Sequence, residues 1–246
     1  MFDIADFKFI HLSNVDSTNV YAKSLILNGE NSNCIIVADT QTKGKTTKSN
    51  SFWESPVGNL YFTMAVKIDE HFQKFLHLFS FLSALSLVES VKDLSSEDIN
   101  IKIKWPNDVL FNVKKLSGIL IEKEKDFIII GVGVNISHYP KSINIKYPTT
   151  SLLNEGINIG KDEFAHIFAR QIIKNLNWCM ETEFSELIDR IKNYMYKIGE
   201  KIFITFNNEN FIGIFENIDS NGAIVIKTDS GVKSFLSAEL TKENFI

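Results

Sequence analysis

Two lysines, Lys104 and Lys115, sit in a stretch whose residue types suit the handling of an anion. Lys104-Trp105-Pro106-Asn107-Asp108 is followed by Lys115-Leu116-Ser117-Gly118-Ile119-Leu120-Ile121-Glu122. The alternating run before Lys104 reads as a strand that delivers the lysine at its end, where Pro106 takes the chain out of regular pairing. Asn107-Asp108 supplies a turn, and a second strand returns carrying Lys115. Gly118 lies inside an apolar run, and the missing side chain lets a ligand or another backbone approach closely. Two ammonium groups near one small-molecule pocket suit a phosphate or a carboxylate. Taken singly, each lysine reads as a solvated surface charge; the whole string shifts the weight toward a site.

Composition bounds what such a site can serve. The 246 residues are 44% hydrophobic and 23% charged, ordinary globular values, and 20 Phe residues supply much of a core. The net charge of −4 gives no electrostatic footprint for duplex nucleic acid. Cys34 and Cys179 stand far apart without CxxC spacing and read as buried free thiols of a reducing compartment. The N-terminal MFDIADFKFIHL lacks the basic start and apolar run of a signal peptide. No stretch approaches the ~18 apolar residues that span a bilayer. The expectation is a soluble, cytoplasmic protein that meets neither DNA nor membrane.

The elements that must position these residues follow from periodicity. Residues 7–12 read as a strand; Asp16 or Ser17 caps a helix that Asn28-Gly29 ends. Residues 34–39 and 60–67 read as strands, with a polar segment after the first. Phe72, Phe75, Leu76, Phe79, Leu82, Leu85 and Val88 recur at helical spacing and predict one core helix. Further strands are predicted at 101–104, 109–111, 116–122 and 127–134, and helices at 162–180 and 183–195. After Ile198-Gly199 the texture changes to short strands at 201–206, 211–218, 223–228 and 232–236. Asn207-Asn208, Asn221-Gly222 and Ser230-Gly231 supply the turns between them. That pattern predicts a small antiparallel barrel, with a boundary near 197–199.

The motifs together resemble the biotin–protein ligases, whose core carries a KWPND segment followed by K-x-x-G-I-L-x-E. Further segments match in the family's order: Asp16-Ser17-Thr18-Asn19; Gln41 opening a ligand loop that closes on Trp53-x-Ser55-Pro56 and Gly58-Asn59-Leu60-Tyr61; and Gly131-Val132-Gly133-Val134-Asn135. The likeness spans residues 8 to about 136 with ordered motifs and continues more weakly through the barrel. It implies an α+β fold: a mixed, mainly antiparallel sheet with helices on one face, followed by a small SH3-like β-barrel. It divides the chain into a catalytic core, 1–197, and a C-terminal domain, 198–246, with no room before Asp16 for a DNA-binding domain.

The resemblance also implies a reaction. ATP activates biotin as biotinyl-5'-AMP, and the biotinyl group passes to a lysine of a biotin carboxyl carrier protein, with magnesium accompanying the ATP. Catalysis falls to Lys104 and Lys48. Biotin is held by Ser17, Thr18, Asn19, Gln41, Gly44, Lys48, Lys104 and Gly118. ATP is held by Lys48, Trp53, Lys104, Asn107, Lys115 and Asn135, with metal ligands unassigned. Local alternatives stand beside these roles: Ser17-Thr18-Asn19 as a helix cap, Gly131 and Gly133 as a bulge or tight packing, and Trp53 as core filler. Asn135, a polar residue ending an apolar strand, reads as a contact to a base edge.

One region departs from the family. The usual loop is rich in glycine and arginine, whereas 42–51 keeps only Gly44 and substitutes lysines. Lysine offers point charge without the bidentate fork of arginine. Residues 43–51 contain no apolar side chain and are expected to be mobile until an adenylate orders them. The competing readings are a lipoate or octanoate ligase, a ligase that doubles as a DNA-binding repressor, and a non-catalytic biotin-binding module.

Overall fold

A computed structural model describes residues 1–47, 51–73, 75–141, 147–182 and 184–245. In chain order the first half contains β1 Lys8–Leu12, α1 Thr18–Leu27, β2 Cys34–Ala38, β3 Gly44–Lys45, β4 Phe52–Trp53, β5 Leu60–Lys67, α2 Glu70–Gln73 and α3 Leu78–Lys92. Then come β6 Ile101–Lys104, β7 Asp108–Phe111, β8 Lys114–Glu124, β9 Phe127–Val134, α4 Lys161–Glu181 and α5 Phe184–Lys192. The last part is β10 Lys201–Phe206, β11 Glu209–Ile218, β12 Ile224–Thr228, β13 Gly231–Phe235 and β14 Glu239–Leu240.

Seven strands form one sheet in the order β1-β2-β5-β9-β8-β7-β6. The β1–β2 pair is parallel and the other pairs are antiparallel, the mixed, mainly antiparallel sheet the motifs imply. Alternation along the strands divides the apolar residues between two faces. Ile35, Val37, Phe62, Met64, Val66, Ile128 and Ile130 join the main core with the residues of α3, α4 and α5. Phe62 meets Phe168 of α4 edge-on at 5.0 Å. α3 is apolar nearly all round because it is sandwiched between the sheet and α4.

The opposite sheet face is not bare. Cys34, Ile36, Ala65, Phe127 and Ile129 pack against Ala22 and Ile26 of α1 in a second, smaller cluster. The expected layer of helices on one face therefore gains a partner on the other. α1 is short enough to cover only part of that face, and the remainder is the floor of a pocket.

Two local expectations are revised, and a third segment shows pairing the sequence did not suggest. The apolar stripe through 72–88 does not form one helix: turns closed by Phe75 N–H to Phe72 O and Leu78 N–H to Phe75 O separate α2 from α3. Bonds between residues three apart wind the chain too tightly to carry an α-helix through. Ser17 sits at the start of α1 without a side-chain capping bond; Gln41 Oε1 accepts from the Thr18 amide instead, at 2.9 Å. At the ends of the segment 43–51, Gly44 pairs with Trp53 and Lys45 with Phe52. Thr46 Oγ1 adds a bond to Ser51 O at 3.2 Å. A backbone ladder needs no apolar side chain, which is why the polarity of 43–51 did not foretell it. The middle of the segment, Lys48 included, lies outside the described residues.

The C-terminal strands form a five-stranded antiparallel sheet in the order β13-β12-β11-β10-β14. It is tied to the larger sheet by a residue of the first motif: Trp105, buried, donates its indole N–H to Gly222 O at 3.0 Å. Among the described residues no helix is long and apolar enough to cross a membrane.

Candidate active site

The sheet face left open by α1 has a floor made largely of absent side chains. Gly118 pairs with Gly133 and Leu120 with Gly131, so alternation sets the three glycines on one face. A Cβ on Gly131 would fall on the Asn19 carboxamide, and one on Gly133 would lie 2.6 Å from the Trp53 ring. On Gly118 it would lie 2.9 Å from the same ring. Above this floor is a cavity of about 500 Å³, within the usual range for small-molecule sites. Its walls come from the start of α1, the β3–β4 hairpin, the β6–β7 turn and residues 237–240 of the C-terminal sheet.

At one end the two motif lysines converge. The β6–β7 hairpin pairs Lys104 with Asp108 across a turn containing the cis Trp105–Pro106 peptide. Lys104 and Asp108 are each only 4% exposed. Lys104 Nζ lies 2.9 Å from Asp108 Oδ2, and Lys115 Nζ lies 2.6 Å from Asp108 Oδ1. Burial opposes ionisation of this carboxyl, but the ammoniums of Lys115 and Lys104 outweigh it and hold it down at about 2. One carboxylate between two ammoniums leaves a local excess of positive charge facing the cavity. The ring of Tyr147 covers Lys104 at 4.6 Å from Nζ to its centroid, and Trp53 lies 5.5 Å from Lys115 Nζ.

At the other end Glu122 gathers the helix and the loop. Its carboxylate accepts from Asn19 Nδ2 at 2.9 Å and pairs with Lys23 at 2.7 Å and Lys45 at 3.7 Å. Burial raises the carboxyl, and the bonds from Lys23 and Asn19 overcome that to keep it below the usual range. Asn19 Oδ1 accepts from Thr63 at 2.7 Å, so both ends of its carboxamide are engaged and it holds α1 to the sheet. Gln41 bridges Thr18 on one side and Ser55 on the other, at 2.9 and 3.2 Å.

The cavity thus brings together Ser17, Thr18, Asn19, Gln41, Trp53, Lys104, Asn107, Lys115 and Gly118 from the residues singled out in the sequence. Asn107 also fastens the turn, donating to Ile119 O at 2.8 Å. Two residues do not reach the cavity. Asn135 is buried at the sheet end, outside the cavity lining, and donates its amide to Thr150 O at 2.9 Å. Gly44 lies behind the wall, where a Cβ would come 2.6 Å from Trp53 O; its smallness lets the hairpin close. Lys48 lies outside the described residues, and the loop lysine that lines the cavity among them is Lys45.

Sequence reasoning missed four contributors. Asp108 was read as turn chemistry, although its place opposite Lys104 in a tight hairpin made an ion pair foreseeable. Glu122 shares the parity of Gly118 and Leu120, a signal that period two could have supplied. Tyr147 and residues 237–240 carry no local signal, since only tertiary packing brings them here. Trp53 completes the picture: its indole N–H is buried without a hydrogen-bond partner among the described residues. Such a donor costs about 1–3 kcal/mol unless a ligand satisfies it.

Known proteins resemble this chain along most of its length. Over 240 residues the chain is 28% identical to the bifunctional ligase/repressor BirA of Bacillus subtilis, spanning 92% of this chain and 71% of that protein. The biotin–[acetyl-CoA-carboxylase] ligase of Paracoccus denitrificans is 27% identical over 241 residues, 93% of this chain and 98% of its own. The structure of the biotin protein ligase from Aquifex aeolicus in complex with biotin and ATP matches with a TM-score of 0.78 at 29% identity. That match covers 95% of this chain and 97% of the other. The model of the biotin/lipoate A/B protein ligase family matches residues 12–135, the segment that builds the glycine floor, the lysine pair and the loop hairpin, and the chain belongs to that family.

Proposed function

We propose that this chain activates biotin with ATP to form biotinyl-5'-AMP and transfers the biotinyl group to a lysine of a biotin carboxyl carrier protein. The observation that carries the reading is the buried Lys104–Asp108–Lys115 cluster at the end of a glycine-floored cavity. A carboxylate oxygen of biotin attacks the α-phosphorus, the bond to the bridging oxygen breaks, and pyrophosphate leaves. Two anions must meet, so the step needs fixed positive charge; Lys104 and Lys115 supply it from the floor, and Lys45 from the loop. Asp108 keeps both motif lysines in place. The acceptor amine then attacks the acyl carbon and AMP departs.

Ser17, Thr18 and Gln41 line the half of the cavity suited to the polar ureido head, and Trp53 offers a flat ring to the adenylate half. The mixed anhydride hydrolyses if water reaches it, which gives the β3–β4 hairpin a covering role. In this reading magnesium arrives with the triphosphate as part of the substrate. Among the described residues no group of three or more His, Cys, Asp or Glu gathers to hold a metal, and both Asp108 oxygens are engaged by ammoniums. Residues 1–197 form the catalytic core and 198–246 an SH3-like domain that closes one wall.

The test is labelling of a carrier protein with biotin and ATP, read together with pyrophosphate release. Biotin-dependent labelling of one acceptor lysine is expected. Labelling by lipoate or octanoate in its place, or biotin binding with no pyrophosphate release, overturns the reading.

A further inference from the structure

Lys104 is withdrawn from water, and its ammonium has two fixed neighbours, Asp108 and the face of Tyr147. Asp108 by itself does not define the ammonium's position, because Lys115 draws on the same carboxylate at 2.6 Å. The aromatic face is a second, independent constraint, and it is stronger for a desolvated cation than for an exposed one. Tyr147 is backed in turn by Phe245, with ring centroids 4.8 Å apart, and Phe245 stacks on Tyr196 at 5.7 Å and 18°.

The turn that carries Phe245 is itself fastened. Asn244, buried, exchanges two bonds with the backbone of Phe203 on β10, at 3.0 and 2.8 Å. Tyr196 Oη donates to Asn244 O at 2.7 Å. A continuous row of contacts therefore runs from the C-terminal sheet to the ammonium at the floor of the cavity.

We propose that Tyr147 is a positioning residue for Lys104, and that the C-terminal turn, through Phe245, holds Tyr147 in place. The inference rests on the reading of Lys104 as the cation of the adenylation step. It gives the C-terminal turn a catalytic consequence through Phe245, which does not itself line the cavity.

The experiment is single-turnover biotin adenylation, followed by pyrophosphate release, in the full chain. Tyr147→Leu is expected to lower the rate roughly 5- to 30-fold, the range of a desolvated cation–π contact, with a smaller change in biotin KM. Tyr147→Phe, which keeps the aromatic face, should recover most of that loss. In a Lys104→Ala background Tyr147→Leu should add nothing, because the group it positions is gone. A thermal melt reports whether each variant folds. If Tyr147→Leu does not, Phe245→Ala carries the test, since it substitutes no cavity-lining residue and should still slow adenylation by loosening Tyr147. An equal loss from Tyr147→Leu with and without Lys104, or a wild-type rate in both Tyr147→Leu and Phe245→Ala, overturns the proposal. A near-normal rate in Lys104→Ala alone would instead remove the reading beneath it.

Discussion

The carboxamide of Asn19 occupies the volume that a side chain at position 131 would need, so the helix α1 and the strand β9 approach only because residue 131 is glycine. The same carboxamide bonds to Thr63 and Glu122, which makes one glycine the seat of a polar junction between helix, sheet and loop.

Gly131→Ala should therefore displace Asn19 and open the half of the cavity nearest α1. The expected cost is about 1–3 kcal/mol of stability, the scale of overpacking a tight contact. Urea denaturation reads the loss, and biotin affinity should fall with it. An unchanged midpoint would mean that α1 shifts at no cost and that the junction is slack.

Asp108→Asn should destabilise the protein by on the order of 3 kcal/mol at neutral pH, because two ammoniums, one of them buried, lose their shared counter-ion. Its carboxyl has an ordinary value of 3.8 and is held at about 2 in the fold. A depressed carboxylate contributes stability in full above the unfolded value and loses it as pH falls through the folded one. The gap between wild type and Asp108→Asn should thus be constant down to about pH 4 and narrow from there toward pH 2. Paired urea titrations across that window check it; a gap that narrows instead between pH 6 and 8 points to another group.

Lys104→Ala should lower the adenylation rate by on the order of 10²–10³, the effect of losing one preorganised charge in a site shielded from water. Biotin binding should weaken less than the rate falls. Normal pyrophosphate release by this variant would take Lys104 out of the chemistry.

Lys45 reaches the cavity from β3 and is held near Glu122 at 3.7 Å until an anion competes for it. Lys45→Ala should speed adenylate release roughly tenfold, as expected for one lost hydrogen bond to a charged group. The family resemblance favours Lys48 for that contact, so the decisive comparison is the off-rate in wild type, Lys45→Ala and Lys48→Ala. A change in Lys48→Ala alone assigns the contact as the resemblance implies; no change in either removes the loop from retention.

Much of this protein was legible along the chain. The strand at 127–134 and the strand at 201–206 coincide with β9 and β10 because each is a short apolar or alternating run closed by turn residues. The lysine pair was legible because its motif is contiguous: a strand end, a proline and a returning strand bring Lys104 and Lys115 together by local geometry alone. Periodicity reported less faithfully where tighter turns compete with helix, as at the break between α2 and α3.

What the sequence by itself determined, then, are the features built from neighbours: the strands, the amphipathic α4, the turn chemistry and the lysines that meet across one hairpin. Only the tertiary structure decided that Gly118, Gly131 and Gly133 form a single floor, since their alignment depends on the register of β8 against β9. It alone set the Asn135 amide against Thr150 O, because an amide at a strand end bonds to whichever backbone packs nearest. It alone set Tyr147 over Lys104 and residues 237–240 against the pocket. Those contacts join segments far apart in the chain, and no local propensity encodes them: they form when the apolar faces of two sheets and five helices are buried together, and the polar groups left at the seam become the site.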